Sequence, residues 1–144
     1  NIILSWTLSP ATICNKYEKT APPLKSRVKN IKKALDLGWS VRLCFDPILL
    51  VDKWYEDYSK FLITIFNEIK GEKIRDITFG VFRMNKDYFN RIRKRDPNSN
   101  IYYADYAIEN NTVLVDKKKR KEALDLLKQV ASEFISVDKI LIWK

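Results

Sequence analysis

Three places in this chain set polar side chains at the end of an apolar, strand-like run. Thr7 and Ser9 close a run at 2–8. Asp46 and Pro47 close one at 40–45. Gly80 and Arg83 close one at 74–82. In parallel α/β folds, functional groups gather beyond the carboxyl ends of the strands. Hydroxyls, a carboxylate and a guanidinium brought together there could bind a polar ligand, and Gly80 would let it approach the backbone closely. The same residues also read as three independent turns, with Ser9-Pro10 and Asp46-Pro47 ending strands and Arg83 on the surface. Histidine is absent, which excludes a His-based triad and every His-containing zinc site from this chain. Cys14 and Cys44 are too few for a disulfide framework, a four-thiolate metal site or a three-cysteine iron–sulfur cluster. Cys44 alternates with Arg42 along its run and reads as a small core residue rather than a nucleophile. Three glycines cannot build a Gly-rich phosphate loop.

The chain has 144 residues, the length of one domain, and no composition shift or linker divides it. Hydrophobic residues at 46% and aromatics at 12% supply a buried core and argue against disorder. No apolar run approaches the ~18 residues that a membrane helix needs. The net charge of +9 implies attraction to polyanions such as nucleic acid, or to an anionic membrane face. The basic residues fall in three groups. Lys25, Lys29, Lys32 and Lys33 mark the solvent side of one helix. Arg91, Arg93, Lys94 and Arg95 precede Tyr102, Tyr103 and Tyr106. A KKKRK run fills 117–121. Basic groups interleaved with aromatics can grip a phosphate backbone and stack on bases. Aromatics of a hairpin packed on a sheet is the other reading of the second group. The chain opens at Asn1 without methionine and without a signal-peptide pattern. It is therefore expected to be cytoplasmic and a piece of a longer polypeptide.

These groups need elements to position them. After the first strand, Asn15 to Thr20 reads as polar loop. Pro22-Pro23 sits where a helix's first turn tolerates proline, Leu24, Val28, Ile31 and Leu35 form its stripe, and Gly38 ends it. The second strand, 40–45, stops at Asp46-Pro47. A helix at 54–69 turns Tyr58, Phe61, Leu62, Ile65, Phe66 and Ile69 inward, and Gly71 stops it. The third strand, 74–82, leads to a short helix over 86–94 capped by Asn85. Residues 101–106 and 112–115 read as a hairpin joined across Glu109-Asn110-Asn111. Asp116 caps a helix at 117–134, and 139–143 is a last strand. The alternation predicts an α/β fold with a mostly parallel sheet and crossover helices.

The motifs SWTLSP at 5–10, YEKTAPPLxxR at 17–27, GWxVRLxFDPI at 38–48, WxxxY at 54–58 and FGVFRM at 79–84 occur in that order. As a set they resemble the carboxyl-terminal half of the spore photoproduct lyase family among the radical SAM enzymes. The resemblance covers most of the chain to about Tyr103. It implies the second half of a partial (β/α)6 barrel. The missing amino-terminal half would hold a CxxxCxxC loop ligating a [4Fe–4S] cluster. The cluster would cleave S-adenosylmethionine (AdoMet) to a 5′-deoxyadenosyl radical that reverts a thymine-dimer lesion in DNA. Neither Cys14 nor Cys44 matches a family cysteine of known role. By position, Thr7 stands where the family faces the methionine end of AdoMet, and Asp46 stands beside the cofactor. At Asp46 the lyase itself has a small apolar residue, so this chain departs from the pattern there. Arg83 matches an arginine at the next strand end, and Ser9 lies close by. Tyr102, Tyr103 and Tyr106 are candidates for the aromatic that meets the lesion. The expectation is one wall of a radical SAM cavity, with Thr7, Ser9, Asp46 and Arg83 toward the cofactor. Arg91, Arg93, Arg95, Tyr102 and Tyr103 would lie toward DNA. The alternative is a basic α/β module that binds nucleic acid without catalysis. A purely structural, partner-binding domain is a third reading.

Overall fold

Four apolar strands pair in parallel in the computed structural model, which describes residues 1–143. They are β1 (Ile3–Thr7), β2 (Ser40–Ile48), β3 (Asp76–Val81) and β7 (Ile140–Ile142), in spatial order β1-β2-β3-β7. The crossovers are α2 (Leu24–Asp36), α3 (Trp54–Glu68) and α5 (Lys117–Ser132). Each turns an apolar stripe to the same side of the sheet. Val28, Ile31, Phe61, Leu62, Ile65, Leu124 and Leu127 meet Val41, Leu43, Phe45, Ile77 and Phe79 in one core. Phe45 sits between Phe61 at 6.1 Å and Phe79 at 5.4 Å. The predicted α/β fold with a parallel sheet and crossover helices is the observed one.

Register fixes the opposite face. Ser5 pairs with Arg42 and Thr7 with Cys44. Arg42 pairs with Asp76, Cys44 with Thr78, and Thr78 with Leu141. In-register residues of a parallel sheet point the same way, and side chains alternate with period two. One face therefore carries Ser5, Thr7, Arg42, Cys44, Asp46, Asp76, Thr78 and Gly80. Parallel sheets are ordinarily covered on both faces. Here the polar face leaves Ser5, Thr7 and Leu141 exposed. Among the described residues β1 is an edge strand, paired only with β2.

Local chemistry explains the boundaries. Gly38 ends α2 at φ +80°. Asn85 accepts from the amides of Asp87 and Tyr88 at the start of α4 (Lys86–Arg95), and Asp116 does the same for Lys118 and Lys119 of α5. Four expectations need correction. A helix, α1 (Ala11–Tyr17), forms across the start of the segment read as polar loop. β2 does not stop at Phe45. It runs on through Asp46 and Pro47 to Ile48, with a register shift that absorbs the proline's missing N–H. Residues 101–106 are not a strand. Asn100–Tyr103 is a 3₁₀ turn, and the hairpin strands are β5 (Tyr106–Glu109) and β6 (Thr112–Val115). β4 (Arg83–Asn85), not foreseen, pairs antiparallel with β6 to give a second sheet, β4-β6-β5.

Candidate functional site

At the carboxyl end of the polar face the structure joins two of the expected residues. The Arg83 guanidinium donates to both carboxylate oxygens of Asp46, at 3.0 and 3.1 Å, and to the Val81 carbonyl at 3.2 Å. A two-toothed Arg–carboxylate contact fixes orientation as well as charge. Gly80 makes room for it. A Cβ there would lie 2.6 Å from the Asp46 carboxyl carbon, so what approaches this glycine is a side chain of the protein itself. Adding that methyl group should leave the fold standing, because a carboxylate on a flexible arm can swing away. Gly80→Ala is thus expected to uncouple the pair. The coupling between Asp46 and Arg83 in a double-mutant cycle should fall from up to about 1 kcal/mol in the parent to near zero in the alanine background.

Thr7 lies on the same face one strand away, exposed and in register with Cys44. Ser9 does not join it. It is 2% exposed, and its hydroxyl donates to Glu18 at 2.9 Å. Glu18 also accepts from Arg27 at 2.8 Å and from the Cys14 thiol at 3.4 Å. Arg27 in turn donates to the carbonyls of Pro22 and Thr7. Burial alone would raise the Glu18 carboxyl, but the hydrogen bonds from Arg27, Ser9 and Cys14 outweigh it and hold the group below the usual glutamate range. Burial and the neighbouring Glu18 carboxylate push the Cys14 thiol up. Sequence reasoning singled out neither Glu18 nor Arg27 as a site residue, although the YEKTAPPLxxR motif carries both. A second ion pair, Arg42 to Asp76 at 2.8 Å through one nitrogen, crosses the face nearer its amino end. The hydrogen bond from Arg42 draws the Asp76 carboxyl down, against its burial.

Beyond the strand ends opens a cleft of about 620 Å³ lined by Ser9, Tyr17, Pro47, Phe82, Ser99 and Tyr102 among others. Its two walls meet where the Tyr17 hydroxyl donates to Asn100. The aromatics expected to interleave with the basic run are divided. Tyr102 is half-buried, edge-on to Phe89 at 5.5 Å. Tyr106 packs on Phe82 and Phe89, donates to the Ile101 carbonyl, and is raised by burial to about 12. Tyr103 is 60% exposed. Arg91, Arg93 and Arg95 are exposed, but Arg91 lies over the Tyr88 ring at 5.6 Å and Arg93 over Phe89 at 5.8 Å. The rings beneath Arg91 and Arg93 are on their own helix, not at Tyr102 and Tyr103.

No group of three or more metal-ligating side chains occurs among the described residues, and Cys14 and Cys44 stand on different elements. An iron–sulfur cluster does not fit this chain by itself. The polar face does suit a small organic cofactor, with the free hydroxyl of Thr7 and the half-exposed Asp46–Arg83 pair at one end. Among the described residues no helix is long and apolar enough to cross a membrane.

The family model described as spore photoproduct lyase matches residues 4–122. No curated protein matches the chain. Among solved structures, a double mutant of spore photoproduct lyase with bound AdoMet and dinucleoside spore photoproduct superposes with a TM-score of 0.81 at 15% identity. A spore photoproduct lyase complexed with dinucleoside spore photoproduct gives 0.79 at 16%. Both alignments cover 97% of this chain and 43% of the other, so this chain spans less than half the length of those proteins. Identities this low speak to the fold.

Proposed function

The chain belongs to the spore photoproduct lyase family, and on that premise we propose that it is the carboxyl-terminal wall of a radical SAM repair enzyme's reaction cavity. An amino-terminal half would supply the remaining strands and the cysteines for a [4Fe–4S] cluster. With AdoMet, such a cluster would supply one-electron reductive chemistry. This chain's part is to bind and orient. Thr7 offers a hydroxyl, and Asp46, held by Arg83, offers a fixed acceptor at the adjoining strand end. The substrate in this reading is a thymine-dimer lesion or a related damaged base in nucleic acid. Cytoplasmic location belongs to the same reading. The observation that carries it is a polar sheet face, exposed at Ser5, Thr7 and Leu141, on a sheet whose other face packs against helices. Losing a hydrogen bond to a charged group costs about 1.5–3 kcal/mol. Asp46→Ala in the complete protein should therefore weaken AdoMet binding by about 10- to 100-fold in calorimetry. Unchanged affinity would remove Asp46 from the cofactor site.

The exposed arginines of α4 favour a second reading, a basic module that binds nucleic acid without catalysis. Charge reversal at Arg91, Arg93 and Arg95 would then abolish single-strand DNA binding by these 144 residues and flatten its salt dependence. Salt-insensitive binding that survives the reversal counts against that reading.

A further inference from the structure

Charge on the polar face is balanced. Its two cations, Arg42 and Arg83, are each engaged by a carboxylate, Asp76 and Asp46. The Arg91–Arg95 cluster and the run at 117–121 lie outside it. Between the two ion pairs runs one uncharged row, Thr7–Cys44–Thr78, in register across three adjacent strands. Strands lie about 4.8 Å apart, so the row is about 10 Å long. Thr7 is its exposed end, and Cys44 is half-buried with a free thiol. Thr78 is 3% exposed, and its hydroxyl has no hydrogen-bond partner among the described residues. A buried hydroxyl without a partner destabilises the fold that contains it.

Resting on the nucleic-acid reading above, we propose that Cys44 and Thr78, inward of the cofactor-side hydroxyl of Thr7, are specificity-determining residues that receive the uncharged edge of a nucleobase. A phosphate entering between the ion pairs would lose its water opposite cations already neutralised. A base edge carries donors and acceptors but no charge, and hydroxyls can serve either. The base displaces the Cys44 thiol sideways and becomes the missing partner of Thr78. The phosphates stay outside, on the unpaired cations. An enzyme acting on a base must take it out of the stack, and this row is a floor for it.

The test uses the complete protein with the dinucleoside thymidylyl-thymidine as probe. Its affinity is measured by calorimetry, and alkylation of Cys44 and Cys14 by N-ethylmaleimide is followed by peptide mass spectrometry. Bound dinucleoside should slow alkylation of Cys44 at least fivefold and leave Cys14 unchanged. Thr78→Val keeps the side chain's shape and removes the hydroxyl. It should weaken the dinucleoside about five- to tenfold while the melting midpoint holds or rises, since no partner is lost. Dinucleoside binding with an unchanged Cys44 rate overturns the proposal and leaves the substrate reading standing. Full protection by AdoMet alone also overturns it, as does a fall in midpoint with Thr78→Val. No dinucleoside binding by a protein that still binds AdoMet overturns both the proposal and the substrate reading.

Discussion

Arg27→Ala should destabilise the protein by about 3–5 kcal/mol, the range for removing one partner of a buried ion pair. The Arg27 side chain is 10% exposed and Glu18 23%, so solvent screens the pair little. The guanidinium also holds the carbonyls of Pro22 and Thr7. Its loss would strand three acceptors at once and leave Glu18 with only Ser9 and Cys14. Urea unfolding of the two proteins checks the figure. A loss below 1 kcal/mol would mean that water replaces the guanidinium, and that the network is not closed. The acid limb supplies a second sign. The Glu18 carboxyl is depressed in the folded state, so its contribution is complete above the unfolded value of about 4.3. That contribution is lost as the pH falls through the lower, folded value. Arg27→Ala removes the strongest of the lowering interactions, so the pH dependence contributed by Glu18 should shrink.

Gly71→Ala is expected to cost about 3 kcal/mol or more, at the upper end of overpacking penalties. A Cβ at Gly71 would sit 2.2 Å from the Phe134 carbonyl oxygen and 3.2 Å from Ile135 Cβ. Phe134 stacks on Phe66 at 5.5 Å with its ring within 5° of parallel, so the obstructing backbone is itself pinned. Relief requires moving the end of α5 away from α3. A fall in melting temperature of more than about 10 °C is expected for a domain of this size. A smaller fall would show that the α5 terminus yields. The contrast with Gly80→Ala is informative. The same added methyl meets backbone at one position and a movable carboxylate at the other.

Most of the parallel sheet was legible because apolar runs, proline pairs and capping residues agreed with one another. Asn85 and Asp116 cap as their types demand, and Gly38 takes the left-handed turn that suits it. The misreadings share a physical cause. α1 lacks a side-chain N-cap and is rich in poor helix formers, so tertiary contacts hold it: buried Ile13 and the Cys14 bonds to Ser9 and Glu18. Three residues of β4 show no period at all, and only β6 beside them makes them a strand. At Asp46-Pro47 a local breaker gave way to pairing with β3, which resumes at Ile48 beyond the proline. The candidate site was legible residue by residue but not pair by pair. Asp46 and Arg83 stand out as polar groups at strand ends, while their contact depends on Gly80 and on the register of β2 with β3. Arg42 and Asp76 lie 34 positions apart, and no spacing rule links them.

Arg27 also decides how far the sheet can grow. The Leu8 amide bonds to Cys44 of β2, so by alternation the amide and carbonyl of Thr7 point the other way, off the sheet's edge. The Arg27 guanidinium occupies that carbonyl at 3.0 Å. Ile3 and Ser5 keep their outward groups open. A neighbouring strand can zip along β1 from its amino end but meets a doorstop at Thr7. One side chain thus sets the register of any strand added to this edge, and blunts the same edge against indiscriminate self-pairing.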